Sequence, residues 1–271
     1  MATSGIKNGV ASLPHLLRPS GRAVLRDLAA GRALLAFDFD GTLAPIVGRP
    51  ENARMRGRTR RLLARLARLY PCAVISGRAR NDLLRRMRDI PVVALAGSHG
   101  AEVPDSSGDG PRARVRSWAG GLRRRLRHLK GVVLEIKPHG VAIHYRQAAE
   151  KKTAHATILS AVAALPDTRH IHGKDVVEVV SVLAPHKGHA LAALRRRLKP
   201  RATLYVGDDV TDEDAFACGG PGGLVAVRVG RGAVTAAMFR LDEQAEVEML
   251  LQALIQLAPR PQRRLARTGE S

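Results

Sequence analysis

Short apolar runs alternate along the chain with segments whose leucines recur at helical spacing. RALLAF (32–37), CAVIS (72–76) and VVALAG (92–97) are typical of buried strands, and residues 57–70 place their leucines on one face of a helix. Strands that are apolar on both sides and separated by helices favour a parallel sheet covered by helices on both faces. The pattern therefore predicts an α/β fold.

This rhythm changes in the middle of the chain and then returns. DSSGDGPR (105–112) has the composition of a linker, VVLEIKPHGVAIHYR (132–146) predicts two strands around a turn, and residues 175–181 predict another strand. We therefore expect a doubly wound, Rossmann-like parallel-sheet core with an inserted α+β cap domain. The predicted ranges are a flexible leader at 1–28, the core at 29–107 and 184–257, the cap at 108–183 and a basic tail at 258–271.

Composition adds one strong feature, a formal net charge of +21 over 271 residues. Such a charge is typical of nucleic-acid-binding proteins, but arginine runs such as residues 123–125 also fit solvated helix faces. Aromatic residues make up only 3% of the chain, so platforms for stacking bases are nearly absent and we expect no specific nucleic-acid partner. A positive field would also attract a small phosphorylated substrate.

The remaining composition favours a cytoplasmic protein, and we expect it to be a monomer. No apolar run reaches the roughly 18 residues that a membrane-spanning helix needs. Residues 1–25 lack the continuous apolar segment of a secretory signal. Cys72 and Cys218 lie far apart and without metal-site spacing, which fits reduced thiols.

Two carboxylates follow the first predicted strand, in the sequence LLAFDFDGTLAPIV (34–47). Side chains alternate along a strand, so Asp38 and Asp40 emerge on one side while Phe39 points away. Ligands of parallel sheets bind beyond the carboxyl ends of the strands. Two close carboxylates repel each other unless a proton or cation intervenes, and Mg²⁺ would satisfy them. Taken alone, the two aspartates could equally be an acidic strand end with a structural capping role.

Three further positions repeat this logic. In ATLYVGDDVTDEDAF (202–216), Asp208 ends a buried run and Asp212 follows. The preference of helix starts for acids explains residues 213 and 214, but not Asp208, which precedes the helix. Ser76 could bind phosphate together with N–H groups at a helix start, or cap that helix. Lys187 begins a helix, where a cation is unfavourable unless an anion faces it; it could also be an exposed lysine.

In this order the segments resemble a known family. DFDGTLAPI, ISGR, KG and GDDVTDEDAF are similar to the four motifs of the haloacid dehalogenase superfamily of Mg²⁺-dependent phosphotransferases. GSHGAE, EIKPHGVAIHYR and GKDVVEV narrow the resemblance to the trehalose-6-phosphate phosphatases. The similarity covers roughly residues 32–255, which makes it more specific than a single motif.

The resemblance implies hydrolysis of trehalose 6-phosphate to trehalose and inorganic phosphate, the last step of trehalose biosynthesis. It implies that Asp38 is the nucleophile that forms an aspartyl phosphate, and that Asp40 protonates the sugar oxygen and then activates water. It further implies that Ser76 and Lys187 bind the transferring phosphoryl group. The implied Mg²⁺ ligands are Asp38, Asp40 through its backbone carbonyl, Asp208 and Asp212.

Sugar recognition is expected mainly in the cap, where charged groups would bind the many hydroxyls of a disaccharide. The expected substrate contacts are Gly41, Thr42, Gly77, Arg78, His99 and Glu102 around the core motifs, and Glu135, Lys137, Arg146, Lys174 and Glu178 in the cap. Glu135 and Lys137 alternate on one predicted strand, so they could also form a solvated sheet surface. Val176 stands where some relatives have a polar residue.

Other functions stay open at this point. A different sugar-phosphate phosphatase of the same superfamily, such as one acting on sucrose phosphate, would share the core motifs. A catalytically silent binding protein is disfavoured, because no carboxylate, serine or lysine of those motifs is missing. A basic nucleic-acid-binding protein is suggested by charge alone.

Overall fold

The structure is a computed structural model that describes residues 13–100, 110–137, 140–173, 175–182, 185–219, 223–231 and 234–259. Its strands are β1 (Ala33–Phe37), β2 (Cys72–Ile75), β3 (Ala94–Ala96), β4 (Val133–Lys137), β5 (Gly140–His144), β6 (Thr168–Gly173), β7 (Val176–Ser181), β8 (Ala202–Gly207), β9 (Leu224–Val229) and β10 (Phe239–Leu241). Its helices are α1 (Arg22–Ala30), α2 (Gly57–Leu66), α3 (Arg80–Arg86), α4 (Gly110–Leu126), α5 (Lys151–Ala163), α6 (Lys187–Leu198), α7 (Glu213–Phe216) and α8 (Glu246–Leu257).

The core sheet has six strands in the described residues, in the order β10-β9-β8-β1-β2-β3, and neighbouring strands are parallel. Every residue of β1 is buried, as its continuous apolar run predicts. Phe37 at the end of β1 pairs with Val74 of β2 and Val206 of β8. The carboxyl ends of these three strands are therefore level, which brings the residues after them to one edge of the sheet.

Helices cover both faces of this sheet. On one face, α1, α2, α3 and α8 bury apolar side chains; α8 buries Val247, Leu250, Leu251 and Leu254, which have the spacing of one helical face. On the other face, α6 and α7 pack through small and aromatic side chains such as Ala190 and Phe216. The predicted doubly wound Rossmann-like core is confirmed. None of the helices in the described ranges is long and apolar enough to span a membrane.

The cap is a second, antiparallel sheet in the order β4-β5-β7-β6. Helices α4 and α5 pack against it through an apolar cluster of its own, centred on Trp118, Ile158, Val141 and Val177. The α+β cap is therefore confirmed. The sequence pattern did not predict β6, because TRHIHG contains a single apolar side chain. The predicted boundaries between core and cap lie between residues 107 and 108 and between residues 183 and 184. Both fall outside the described residues, in the ranges 101–109 and 183–184, and stay predictions.

The structure corrects the predicted flexible leader at 1–28 for the part that it describes. Leu16 is fully buried, and Leu25 and Leu28 of α1 join the same core cluster. The segment before α1 also hydrogen-bonds to the sheet edge, because Leu16 N–H donates to the Arg240 carbonyl and Arg240 N–H donates to that of Pro14. Arginines separate these leucines in the sequence, so the local pattern does not predict the apolar face that the segment buries. Residues 1–12 lie outside the described residues.

A histidine and two acids fasten this segment. His15 Nε2 lies 3.0 Å from a carboxylate oxygen of Glu246 and 3.5 Å from one of Asp242. His15 Nδ1 accepts the N–H of Leu17, so Nε2 carries the proton and donates it to Glu246. A ring nitrogen that carries a proton cannot ligate a metal, so we interpret this cluster as structural.

The buried Leu16 provides a test of this correction. Leu16→Ala should lower the free energy of unfolding by about 2–5 kcal/mol, because it leaves a cavity in the main core. The matched control is Leu84→Ala on α3, whose residue is 43% exposed and should lose less than about 1 kcal/mol. Urea denaturation monitored by circular dichroism measures both. Equal small losses would mean that the segment before α1 contributes nothing to the core.

Candidate active site

A buried lysine lies between two carboxylates at the carboxyl edge of the core sheet. Lys187 Nζ is 3.0 Å from Asp38 Oδ2 and 2.8 Å from Asp212 Oδ1, and all three side chains are almost fully buried. Burial opposes the charge on Lys187, but Asp212 and Asp38 outweigh it and raise the pKa of the ammonium. Lys187 therefore stays protonated as a fixed positive charge beside Asp38.

Asp212 is the residue that holds this arrangement together. Its Oδ1 accepts hydrogen bonds from Lys187 Nζ at 2.8 Å and from Tyr205 Oη at 2.7 Å. Its Oδ2 accepts the backbone N–H groups of Asp208 at 3.0 Å and Asp209 at 2.9 Å. Both oxygens are thus occupied by protein donors, which makes Asp212 a positioning group for the lysine and for the turn after β8.

Asp38 and Asp208 have the more available carboxylates. Burial raises the pKa of Asp38; Lys187 opposes this increase, while Asp212 and Asp208 add to it. Burial likewise raises the pKa of Asp208 to about 7, with Asp212 as the next cause. The cluster therefore carries more negative charge than Lys187 alone neutralises, and it favours either a proton or a further cation.

The loop after β1 fits closely around Asp208. Gly41 has φ +75°, and a Cβ there would overlap the Asp208 carboxylate. Thr42 Oγ1 donates a hydrogen bond of 3.3 Å to Asp208 Oδ1. Glycine at position 41 is therefore required both by the backbone conformation and by the close approach of a carboxylate.

The donor set fits a hard divalent cation. One carboxylate oxygen each from Asp38, Asp208 and Asp212 can be chosen so that all three lie within 4.8 Å of one another. Carboxylate oxygens are the ligands that Mg²⁺ and similar ions take, and such an ion would relieve the repulsion that raises the pKa values of Asp38 and Asp208. The cluster could therefore bind a metal ion at this edge of the sheet.

Asp40 is held apart from this cluster by an arginine. Arg78 donates from Nε and Nη2 to the two oxygens of Asp40, both at 2.6 Å. Arg78 also donates hydrogen bonds to Asp82 Oδ2 at 2.9 Å and to the Pro50 carbonyl at 2.6 Å. The Asp40 side chain is 38% exposed, so it stands at the mouth of the site, oriented by a two-pronged clamp.

Ser76 and His99 follow the neighbouring strands β2 and β3. Ser76 is buried at the end of β2, and its Oγ accepts the N–H of Arg78 at 3.3 Å. His99 packs so closely on Gly77 that a Cβ at position 77 would overlap the imidazole ring. The backbone φ of His99 is 58°, which is unusual for a non-glycine residue. Burial, followed by the charge of Lys187, lowers the pKa of His99 to about 4, so the imidazole is neutral at neutral pH.

A cavity of about 300 Å³ lies between the core and the cap at this point. Gly77 and His99 line it from the core, and Glu135, Lys137 and Glu178 line it from the cap. Lys137 Nζ donates a hydrogen bond of 2.9 Å to Glu178 Oε1, so the strands β4 and β7 present paired charges to the cavity. The cavity therefore has charged donors and acceptors of the kind that bind hydroxyl groups.

Most of the predicted site residues are brought together. The core set Asp38, Asp40, Gly41, Thr42, Ser76, Gly77, Arg78, His99, Lys187, Asp208 and Asp212 gathers at one edge, and Glu135, Lys137 and Glu178 face it. Arg146 is 68% exposed, does not line the cavity, and lies 4.0 Å from Asp175. Glu102 and Lys174 lie outside the described residues.

Two further residues of the site were not predicted from the sequence. Tyr205 was assigned to the apolar run of β8, although a tyrosine in such a run signals a buried hydroxyl that needs a partner. Arg169 lies on β6, which the sequence pattern did not predict, and lines the cavity. It donates a hydrogen bond of 2.7 Å to Asp214 of the core. This ion pair links cap and core at the cavity edge.

Comparison with known proteins agrees with this geometry. The trehalose-phosphatase family model matches residues 36–241. The trehalose-phosphate phosphatase of Mycobacterium ulcerans is 35% identical over 255 residues, which is 88% of this chain and 65% of that relative, so the chain spans about two thirds of its length. The resemblance to trehalose-6-phosphate phosphatases inferred from the motifs is confirmed.

Solved structures extend the comparison. A trehalose-6-phosphate phosphatase of Aspergillus fumigatus aligns with a TM-score of 0.68 and 27% identity, covering 90% of this chain and 99% of that one. The C-terminal domain of a Candida albicans trehalose-6-phosphate phosphatase aligns with a TM-score of 0.71 and 24% identity, covering 91% of this chain and 100% of that one. The second likeness supports the fold only.

The raised pKa of Asp208 predicts a pH-dependent stability of the metal-free protein. Between the ordinary value of 3.8 and the folded value of about 7, the folded state holds a proton that the unfolded state has lost. The free energy of unfolding should therefore fall as pH rises through this window, by an amount on the order of a few kcal/mol. Asp38, whose pKa is also raised, contributes in the same direction.

Asp208→Asn should flatten this decrease, because the amide does not titrate. The matched control is Asp167→Asn in the cap, at an exposed residue, which should keep the wild-type slope. Urea denaturation between pH 4 and 8 in the presence of a chelator measures the slope. Identical slopes for the two variants would contradict the assigned role of Asp208.

Proposed function

The chain belongs to the trehalose-phosphatase family, and on that premise we propose that it hydrolyses trehalose 6-phosphate to trehalose and inorganic phosphate. The observation that carries the proposal is the buried Lys187 held against Asp38, with the charged cavity between core and cap beside it. The names of the relatives support the choice of sugar. The geometry supports the choice of reaction.

We propose Asp38 as the nucleophile. Its Oδ1 accepts the N–H of Phe39 at 2.7 Å and its Oδ2 faces Lys187, so the carboxylate is fixed in orientation before substrate binds. A carboxylate oxygen forms a bond to phosphorus while the bond from phosphorus to the sugar oxygen breaks, which leaves an aspartyl phosphate. Water then attacks the phosphorus and releases inorganic phosphate and the free carboxylate.

Lys187 and Ser76 are proposed to stabilise the phosphoryl group during both steps. Charge on the phosphoryl oxygens is met by an ammonium that is already desolvated and held by Asp212, so little reorganisation is needed. Ser76 supplies a buried hydroxyl at the end of the neighbouring strand. Asp212 and Tyr205 act through Lys187 and are positioning residues.

Asp40 is proposed to donate a proton to the departing sugar oxygen and to take one from the attacking water. It stands at the mouth of the site, where the sugar would leave, and Arg78 fixes its orientation. The two hydrogen bonds from Arg78 fix the plane of the Asp40 carboxyl group in the position from which the proton would be transferred.

A metal ion is proposed at Asp38 and Asp208, with the Asp40 carbonyl as a further ligand. Asp212 was also predicted as a ligand; because protein donors bind both of its oxygens, we propose instead that it supports the turn. We propose Mg²⁺, which would screen the approach of an anionic nucleophile to an anionic phosphate. Removal of metal with a chelator should abolish turnover, and added Mg²⁺ should restore it. Full activity in the chelator would contradict the proposed metal dependence.

Recognition of the sugar is proposed to rest on the cap. Glu135, Lys137 and Glu178 offer both acceptors and donors across the cavity, and the pair of Lys137 and Glu178 is only partly buried and so open to exchange with hydroxyls. Arg169, at the cavity edge, is a further candidate contact. A monomeric state and a cytoplasmic location stay predictions.

A panel of sugar phosphates tests the proposed substrate. Trehalose 6-phosphate should have the highest kcat/KM when compared with sucrose 6-phosphate and glucose 6-phosphate at equal Mg²⁺. Faster turnover of either competitor would assign the chain to another sugar phosphate. Release of inorganic phosphate, measured colorimetrically, gives the rates.

Asp38→Asn should reduce turnover by about a thousandfold or more, since an amide cannot form the phosphorylated intermediate. The fold should persist, because Lys187 keeps its partner Asp212. Circular dichroism and thermal unfolding check the fold alongside the rate. Appreciable activity in the purified variant would exclude Asp38 as the nucleophile.

Glu178→Ala should separate sugar recognition from chemistry. We expect kcat/KM for trehalose 6-phosphate to fall roughly tenfold to a hundredfold and that for 4-nitrophenyl phosphate to change less than about twofold, because the aryl group makes no sugar contact. Glu150→Ala, an exposed cap residue outside the cavity, is the matched control and should change neither. Equal losses on both substrates would remove Glu178 from the sugar site.

A further inference from the structure

A second cavity, of about 410 Å³, lies behind the loop that carries Asp38 and Asp40. Its floor is apolar, formed by Phe39 and Met55, and no acidic residue lines it. Its walls are guanidinium groups, from Arg54, Arg60, Arg85, Arg86 and Arg88. This cavity, here called the arginine pocket, is distinct from the one between core and cap.

Two of these arginines are part of the framework. Arg60 donates 2.8 Å to the Arg86 carbonyl and also binds that of Arg88. Arg86 donates 2.7 Å to Asp82 and also binds the carbonyls of Ala53 and Glu51, and its guanidinium lies 5.7 Å from the centre of the Phe39 ring. These contacts hold the two positive groups in place in the wall of the pocket.

The other three arginines keep their donors available. Arg54 and Arg88 are exposed and make no side-chain hydrogen bond or ion pair with any described residue. Arg85 is 71% exposed and has one 3.2 Å contact, to Asp82. Among the described residues, Asp82 is the carboxylate that pairs with the arginines of the pocket. It forms ion pairs with Arg85 and Arg86, and also with Arg78 outside the pocket.

We propose that the arginine pocket is a binding site for a small phosphate-type dianion. Planar guanidinium groups match the oxygens of phosphate and bind them with paired, charge-assisted hydrogen bonds. Five such groups around one cavity repel each other, and a dianion relieves that repulsion. The proposal depends on neither the nucleophile nor the sugar assigned above.

A chain of three ion pairs connects the pocket to the proposed proton donor. Asp82 binds Arg85 and Arg86 on the pocket side and Arg78 on the other, and Arg78 clamps Asp40. A dianion that draws Arg85 toward itself removes one of the guanidinium groups that compete for Asp82, and leaves the carboxylate to the fixed Arg86 and to Arg78. Occupancy of the pocket and the hold of Arg78 on Asp40 are therefore linked, and linkage of this kind is reciprocal.

The test compares two double variants of the full chain that lose the same charge. Arg54→Ala/Arg88→Ala removes the two unpaired guanidinium groups of the pocket. Arg65→Ala/Arg68→Ala removes two exposed arginines outside it and is the control. Inorganic phosphate is titrated calorimetrically at constant ionic strength set with sodium chloride, and circular dichroism checks that both variants fold.

The wild type and the control should bind one phosphate more per chain than the pocket variant does, or bind it at least roughly tenfold more tightly. This difference is expected whatever number of phosphates the active site binds, so it does not depend on the proposed activity. Equal stoichiometry and affinity in all three proteins would overturn the site.

A third variant tests the shared carboxylate. Asp82→Asn removes the internal competitor for Arg85, while Arg86 keeps its contacts with the carbonyls of Ala53 and Glu51 and with Phe39. Phosphate should therefore bind several-fold more tightly to this variant than to the wild type, an effect of roughly the size expected for a partly exposed ion pair. Affinity that is unchanged or weaker in this variant would overturn the assignment of Arg85 to the site.

Discussion

The ammonium of Lys187, buried between Asp38 and Asp212, is the interaction on which the site depends. A charge removed from water is tolerated only where partners surround it, and here two carboxylates lie within 3.0 Å of Nζ. Asp38 follows β1, Asp212 lies in the turn after β8 and Lys187 begins α6, so the three groups meet only when the sheet and α6 are both in place. The apolar runs before Asp38 and Asp208 serve this purpose, since they fix the ends of β1 and β8 at one level.

The surrounding residues divide the work around that charge. Asp212 is saturated by donors and holds Lys187, while Asp38 and Asp208 keep carboxylates whose raised pKa values mark them as suited to a cation. Asp40 lies outside this group, oriented by Arg78. The cap adds a layer of paired charges, and the ion pair of Arg169 with Asp214 joins that layer to the core. The proposed function therefore assigns chemistry and recognition to different layers of the molecule.

Much of this arrangement could be predicted from the sequence, and the exceptions share a physical cause. Asp38, Ser76, Lys187 and Asp208 stand at strand ends or helix starts, where topology alone brings side chains together. Tyr205, the clamp of Arg78 on Asp40 and the pairing of Arg169 depend on which atoms meet across elements distant in the chain, and no local pattern encodes that. The packed segment before α1 and strand β6 were missed because charged residues interrupt their apolar spacing.

Asp38 is proposed to accept the phosphoryl group, and the other proposed roles depend on this one. The most direct measurement is to quench the enzyme with acid during turnover of trehalose 6-phosphate, reduce it with borohydride, and locate the reduced residue by mass spectrometry. An aspartyl phosphate is reduced to homoserine, so homoserine should appear at position 38 and only when substrate is present. Homoserine at another aspartate, or an unmodified Asp38 in an enzyme that is turning over with accumulated intermediate, would contradict the account.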